Sequence, residues 1–269
     1  MTYDHHQKEI WQKALEPLYG ERETQSMWKW YQEAGRSPDF FEEDLIRLEK
    51  KYPLQYLLGY SWFYGRKILV NEYILIPRPE TEELVYALLE RVESKSDLKI
   101  IDLGTGSGCI PVTIGAERPG WNLTGVDIQK AALEIARENS EMHQVAVRWA
   151  EADLLDWKSY PVLQETYDVM VSNPPYIPEK DRWRMEENVL KYEPDLALFA
   201  SGEGLIFYKE IALHAYRSLQ QGGWLFLELH EDHAYEISAI FQETEKYHQL
   251  EILKDMQGKE RILVLRKTE

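Results

Sequence analysis

Four consecutive residues, Asn173-Pro174-Pro175-Tyr176, carry the groups needed to turn a planar NH2 into a nucleophile. The lone pair of an amide or aromatic amine is delocalised into its π-system, so the group must be held and polarised before it attacks. The Asn173 side-chain oxygen accepts one N–H, and the backbone carbonyl of Pro174, whose φ is locked by its ring, accepts another. Tyr176 then stacks on the planar group. The pattern predicts substitution at nitrogen, with Asn173, Pro174 and Tyr176 as catalytic candidates and Asn173, Pro174, Pro175 and Tyr176 together as the substrate site. Asn-Pro is also an ordinary turn former, so the upstream context has to decide.

That context is a series of strand ends. Tyr167 to Ser172 is apolar and β-branched, which puts the tetrapeptide on the loop at the carboxyl end of a buried strand, where open α/β sheets bind ligands. Leu98 to Asp102 is a second such run, and it feeds Gly104-Thr105-Gly106-Ser107-Gly108 before an apolar helix reaching about Arg118. Glycines there allow positive φ and close approach of a ligand, beside the free N–H groups of a helix amino terminus. A dinucleotide fingerprint would need glycine at 109, where Cys109 stands. Asn122 to Val126 ends in Asp127, placed to grip ribose hydroxyls, and a helix follows over 129–141. Val145 to Ala150 leads to Asp153 and Leu154, a carboxylate for an adenine amine and an apolar cover for the ring, although Asp153 taken singly also suits a solvated helix cap. Glycine loop, Asp127, Asp153 and Asn173 each follow a strand in chain order, as one S-adenosylmethionine pocket along a parallel sheet requires. The reaction expected is methyl transfer to nitrogen, with S-adenosylhomocysteine as product.

With these residues assembled, the chain resembles the HemK-type family of peptide chain release factor glutamine methyltransferases. The resemblance runs through Pro53 to Gly59, Phe63-Tyr-Gly65, Leu75-Ile-Pro-Arg-Pro-Glu-Thr-Glu82, Asp102 to Gly108, Asn173 to Ile177, and Tyr192-Glu-Pro194 with Ala197-Leu198. It implies a class I, Rossmann-like methyltransferase sheet preceded by a small helical domain that helps recognise a release factor. The implied substrate is the glutamine of a Gly-Gly-Gln loop. Arg78 and Glu80 become candidates for contacts near the cofactor, against the plainer reading of a linker ion pair. Two departures mark this chain: His230 follows Leu229 where an apolar residue and glycine are usual, and Phe199 to Gly204 replaces a commoner glycine-rich run. The tetrapeptide alone is shared with adenine methyltransferases, so an enzyme acting on the adenine amino group of DNA or RNA is the competing reading.

Composition narrows the field. A chain of 269 residues with 44% hydrophobic residues can bury one large domain and a small one. A net charge of -16 argues against extended phosphate contacts, so no direct nucleic-acid binding is expected and a protein partner is. Residues 1–72 hold 10 Lys/Arg against 12 Asp/Glu, a balance of -2 that leaves -14 for the remainder. No apolar run nears the roughly 20 residues that cross a bilayer. Met1 to His6 lacks a signal-peptide core, so a cytoplasmic location with no membrane association is expected. The lone Cys109 excludes an internal disulfide and predicts packing behind the glycine loop. His230 and His233 flank two acids at helical spacing but lack an evident third ligand, and no metal is expected.

Residues 4 to about 50 show only helical periodicity: Ile10, Trp11, Ala14, Leu15 and Leu18 recur at helical spacing, as do Met27, Trp28, Trp30 and Tyr31, and Phe40, Phe41, Leu45 and Leu48 continue it, which favours core packing over a base-stacking platform. Pro53 opens a short helix that Gly59 ends, and Ser61 to Leu69 reads as a hairpin turning near Tyr64-Gly65-Arg66. The division expected is a helical recognition domain with its hairpin over 1–72 and a catalytic domain over 73–269, entered through the extended Leu75 to Pro79. A helix follows from Thr81 or Glu82 to Val92. Later come a helix over 205–219, a turn at Gly222-Gly223, a strand from Trp224 to Leu229, and a closing antiparallel pair, 250–253 with 262–265, turned by Gln257-Gly258-Lys259.

Overall fold

The computed structural model describes Tyr3 and residues 5–268. The reading of the amino terminus as free of a leader rests partly on Met1, Thr2 and Asp4, which lie outside the described residues. Helices α1 (His5–Tyr19), α2 (Glu21–Glu33) and α3 (Phe41–Glu49) come first, then the short α4 (Leu54–Leu58) and a hairpin of β1 (Tyr60–Phe63) and β2 (Arg66–Leu69). After an extended linker, α5 (Pro79–Arg91) precedes β3 (Lys99–Leu103), α6 (Cys109–Glu117), β4 (Asn122–Asp127), α7 (Lys130–Met142), β5 (Val147–Glu151) and β6 (Tyr167–Ser172). The small paired strands β7 (Ile177–Pro178) and β8 (Phe199–Ala200) bracket α8 (Glu187–Tyr192) and α9 (Asp195–Leu198). Then follow α10 (Ile206–Ser218), β9 (Leu219–Glu228), α11 (Ala234–Gln242), β10 (Tyr247–Lys254) and β11 (Glu260–Lys267).

Seven strands form one sheet in the order β10-β11-β9-β6-β3-β4-β5. The five from β9 to β5 run parallel, while β11 and β10 pair antiparallel at one edge. The chain builds outward from β3 through β4 to β5, then returns to lay β6 on the other side of β3. That reversal opens a crevice at the carboxyl edge between β3 and β6, the position where doubly wound sheets take ligands. The central strands are buried on both faces, which is why Ile100, Ile101, Val169, Met170, Val171, Leu225 and Phe226 read as unbroken apolar runs without alternation.

Gly222 and Gly223 do not form the expected turn between helix and strand. They lie inside β9, which starts at Leu219, and the pairing with β6 shifts register there, from Tyr167 opposite Leu219 to Val169 opposite Trp224. Gly222 takes φ +69°, and a Cβ on Gly223 would stand 2.9 Å from the Asp168 carbonyl oxygen, so the pair makes a bulge that only glycine fits. Helix α5 also starts earlier than expected, at Pro79, because proline suits the first helical turn.

The aromatic residues of α1 to α3 are core: Trp11 and Tyr31 are fully buried, with ring centroids 4.9 Å apart. Tyr31 donates to the Asp44 carboxylate at 2.7 Å, and Arg36 pairs with the same group. This cluster continues without a break through the hairpin, α5 and α6 to one face of the sheet, at Val171, Phe226 and Val264. The hairpin is pinned by Asn139 of α7, whose side-chain amide accepts from the Leu69 N–H at 2.7 Å and donates to the carbonyls of Leu69 and Ser107 at 3.1 and 2.9 Å. One buried amide thus joins the hairpin to the glycine loop.

Candidate active site

A cavity of about 190 Å³ opens at the crevice. Its lining includes Gly104, Thr105, Gly106 and Ser107 after β3, Asp127 after β4, Asp153 and Leu154 after β5, and Asn173 and Pro175 after β6. The residues singled out from four separate strand ends therefore meet at one place. The linker forms the opposite wall with Tyr73, Ile74, Leu75, Pro77 and Arg78, none of which had been expected there except Arg78.

The glycine turn is shaped by backbone bonds from Gly104 and Thr105 to the Val126 carbonyl at 2.9 and 2.8 Å. Gly108 is not part of the cavity wall. Its φ is +75° and a Cβ there would lie 2.7 Å from the Trp149 ring and 3.0 Å from Ala136, so it serves the close seating of α6 against its neighbours. Behind the turn, Asp102 is buried and receives the Thr105 hydroxyl at 2.5 Å, while its Oδ1 has no partner. Burial pushes its carboxyl up to about 7. Cys109, expected to pack behind the loop, is buried at the start of α6 and also lines the cavity, its thiol pushed up by burial to about 12.

Asp127 is held by two backbone donors, Gly106 N–H to Oδ2 at 2.8 Å and Gln129 N–H to Oδ1 at 2.9 Å. A carboxylate has about four acceptor positions, so about two remain for a pair of hydroxyls. Burial raises its pKa, against the pull of those N–H donors. Asp153 closes a local turn by accepting the Leu155 N–H at 2.8 Å, a turn and not the helix cap that was its plainer reading, and still borders the cavity; Leu154 is buried beside it. Glycine N–H groups, a half-committed carboxylate and an apolar wall that includes Ile74, Ile128, Leu154 and Phe207 suit a nucleoside carrying a charged tail.

At the β6 end, the Asn173 Nδ2 donates to the Thr81 hydroxyl at 3.0 Å, Thr81 donates to Glu228 Oε2 at 2.7 Å, and Tyr176 donates to Glu228 Oε1 at 3.2 Å. Thr81 and Glu228 are buried, and burial pushes the Glu228 carboxyl up to about 7. The Tyr176 hydroxyl is raised well beyond its ordinary range, chiefly by burial and then by the Glu228 charge. Pro174 is buried, and Tyr176 lies outside the cavity lining with its ring edge-on to His230 at 5.7 Å. The loop is backed by Gly204, where a Cβ would fall 2.3 Å from the Tyr176 carbonyl oxygen.

Glu228 had escaped notice although it ends a strand as Asp127 does, so the same rule that selected Asp127 would have found it. Glu193 carries no such positional signal, yet its buried carboxylate accepts from Arg78 at 2.6 Å and from the Ile76 N–H at 3.2 Å, holding the linker over the cavity. Arg78 is thus both an ion-pair partner and a wall residue, whereas Glu80 stays outside the lining. His230 and His233 bond to the Asp232 N–H and to Glu236, and among the described residues no group of three His, Cys, Asp or Glu is placed to hold a metal.

The methyltransferase small domain family matches residues 85–203. The release factor glutamine methyltransferase of Lactococcus lactis subsp. lactis is 41% identical over 217 residues, covering 81% of this chain and 78% of that protein. The protein of the same description from Flavobacterium psychrophilum is 33% identical over 275 residues, covering 93% and 94%. Among solved structures, a methyltransferase from Pyrococcus furiosus superposes with a TM-score of 0.56 at 17% identity, covering 77% of this chain and 91% of that one. A T. Thermophilus 16S rRNA methyltransferase solved with AdoMet and guanosine gives 0.55 at 18%, covering 77% and 49%. At such identities the structural likeness establishes the fold.

Proposed function

The chain belongs to the release factor glutamine methyltransferase family, and on that premise we propose that it transfers a methyl group from S-adenosylmethionine to the side-chain amide nitrogen of the glutamine in a release factor's Gly-Gly-Gln motif. The observation that carries the reading is the tethering of Asn173. One N–H of its NH2 goes to the Thr81 hydroxyl, which turns the carbonyl oxygen away from Thr81, and since Asn173 lines the cavity we read that oxygen as the acceptor offered there. An acceptor is what a substrate amide NH2 requires.

Asp127 would hold the ribose hydroxyls, with the loop Gly104 to Ser107 against the tail and Asp153 and Leu154 at the base. The cofactor supplies an electrophilic methyl on a positively charged sulfur. The protein works by position: Asn173 fixes the amide plane, the linker excludes water, and Pro174, buried outside the cavity lining, holds the turn that aims Asn173; the methylated nitrogen, strongly acidic while it carries both hydrogens, then sheds one proton to solvent. Tyr176 braces this loop through Glu228. Residues 1–72 would recognise the body of the release factor and 73–269 would carry the chemistry, in the cytoplasm where translation factors reside. No helix among the described residues is long and apolar enough to cross a membrane.

Asn173→Ala tests the mechanism. Single-turnover methylation at saturating cofactor should slow on the order of 100-fold or more, because orientation and a fixed polar contact are lost together. Cofactor affinity should change much less. Transfer at the parent rate would make Asn173 a turn residue only. Nucleic acid assayed in parallel should accept no methyl.

A further inference from the structure

We propose that ionised Glu228 is a positioning residue that sets the direction of the hydrogen-bond chain through Thr81 to Asn173, and thereby decides which end of the Asn173 amide faces the substrate. The inference rests on the methyl-transfer reading above. A carboxylate only accepts, and Glu228 is 1% exposed, so its two oxygens take what their neighbours offer: the Thr81 hydroxyl at 2.7 Å and the Tyr176 hydroxyl at 3.2 Å. A threonine hydroxyl has one hydrogen. With that hydrogen committed to Glu228, Thr81 can only accept from Asn173, and the bond at 3.0 Å must come from the Asn173 NH2. The carbonyl oxygen is then left for the substrate.

Protonation of Glu228 permits the opposite order. A neutral carboxyl can donate to Thr81, Thr81 can donate onward, and the Asn173 amide then satisfies it with its oxygen and turns its NH2 to the substrate. Two NH2 groups facing each other cannot bond, so the amide nitrogen loses its alignment. The surroundings hold this group near the balance point. Arg261 of β11 favours the charged form; burial and Glu80 of α5 oppose it, the hydroxyls of Thr81 and Tyr176 support it, and together they bring it to about 7. Around them, Tyr208 of α10 donates to the Glu228 backbone carbonyl at 2.7 Å, and His230 lies against the Tyr176 ring. Arg78 adds positive charge near Tyr176.

The test is single-turnover methylation of a Gly-Gly-Gln peptide by the full chain at saturating S-adenosylmethionine, from about pH 5.5 to about 9, with cofactor affinity measured by calorimetry. The parent rate should rise with pH through a midpoint near about 7. Glu228→Gln should flatten that rise. Thr81→Val keeps the side-chain shape but breaks the chain, and should slow transfer about 10- to 100-fold with cofactor affinity within about twofold. Thr81→Ser should recover most of the lost rate. Should Glu228→Gln fail to fold, the Val and Ser pair decides by itself. A Thr81→Val rate equal to the parent's, or an unchanged pH midpoint in a folded Glu228→Gln, overturns the inference while the activity stands. A parent that methylates neither peptide nor intact release factor overturns the functional reading, and this inference with it.

Discussion

Asp127 shapes the fold and borders the cavity at once. Its two oxygens each accept one backbone N–H, from Gly106 and from Gln129, so the carboxylate shapes the glycine turn that it shares the cavity with. Asp127→Ala removes the acceptors proposed for the ribose hydroxyls and releases both N–H groups. Hydrogen bonds to charged groups are worth about 1.5–3 kcal/mol, so S-adenosylmethionine should bind more than about tenfold weaker. Calorimetric titration of the folded variant measures this directly, and an unchanged affinity would remove Asp127 from the ribose site. The four-residue motif after β6 leans on its neighbours in the same way, with the Asn173 amide bonded to Thr81 and the Tyr176 hydroxyl to Glu228.

Between elements, the loop after β6 is held in shape by the segment that enters α10. Gly204 adopts φ +80°, and an added Cβ would sit 2.3 Å from the Tyr176 carbonyl oxygen and 3.1 Å from its carbon. Both are backbone atoms, so no side chain can swing away to relieve the contact. Gly204→Ala should therefore displace the loop and slow methyl transfer on the order of 10- to 100-fold, as small misplacements of reacting groups do. Most of the lining proposed for the cofactor, Gly104 to Ser107, Asp127, Asp153 and Leu154, stands on other strands, so its affinity should fall far less than the rate. Single-turnover kinetics set beside a cofactor titration separate the two effects, and an unimpaired rate would show that the loop tolerates the shift.

For the whole molecule, the continuous core means that the amino-terminal helices cannot be removed without uncovering apolar surface on α5 and α6. Tyr56 donates to the carbonyl of Ile74, a cavity-lining residue, at 2.5 Å, and Tyr192 donates across the proposed boundary to the Lys50 carbonyl at 2.9 Å. A recognition role for residues 1–72 is better tested on their surface. Leu18 and Ile46 are 42% and 51% exposed on α1 and α3. Leu18→Ser with Ile46→Ser should change stability little, since exposed substitutions usually cost within about 0.5 kcal/mol. Methylation of an intact release factor should fall at least about threefold in kcat/KM, with a short Gly-Gly-Gln peptide unaffected. Equal behaviour toward both substrates would take recognition away from this face.

The strands were legible in the sequence because those central to a parallel sheet are buried on both faces, and Tyr167 to Ser172 or Asn122 to Asp127 stand out with nearly their true limits. The pocket followed from one further rule, that ligand groups stand at the carboxyl ends of such strands, which selected the glycine turn, Asp127, Asp153 and Asn173 without coordinates. What tertiary structure alone decided is which distant side chains meet there. Thr81 is 92 residues from Asn173, and Glu193 lies 115 from Arg78; no local periodicity encodes such pairs. The same holds for the Gly222-Gly223 bulge, whose cause is the Asp168 carbonyl of the neighbouring strand. Sequence supplied the residue types that could hold a planar NH2, and packing of α5 against the sheet brought the Thr81 hydroxyl to the Asn173 amide nitrogen, a contact that no local pattern encodes.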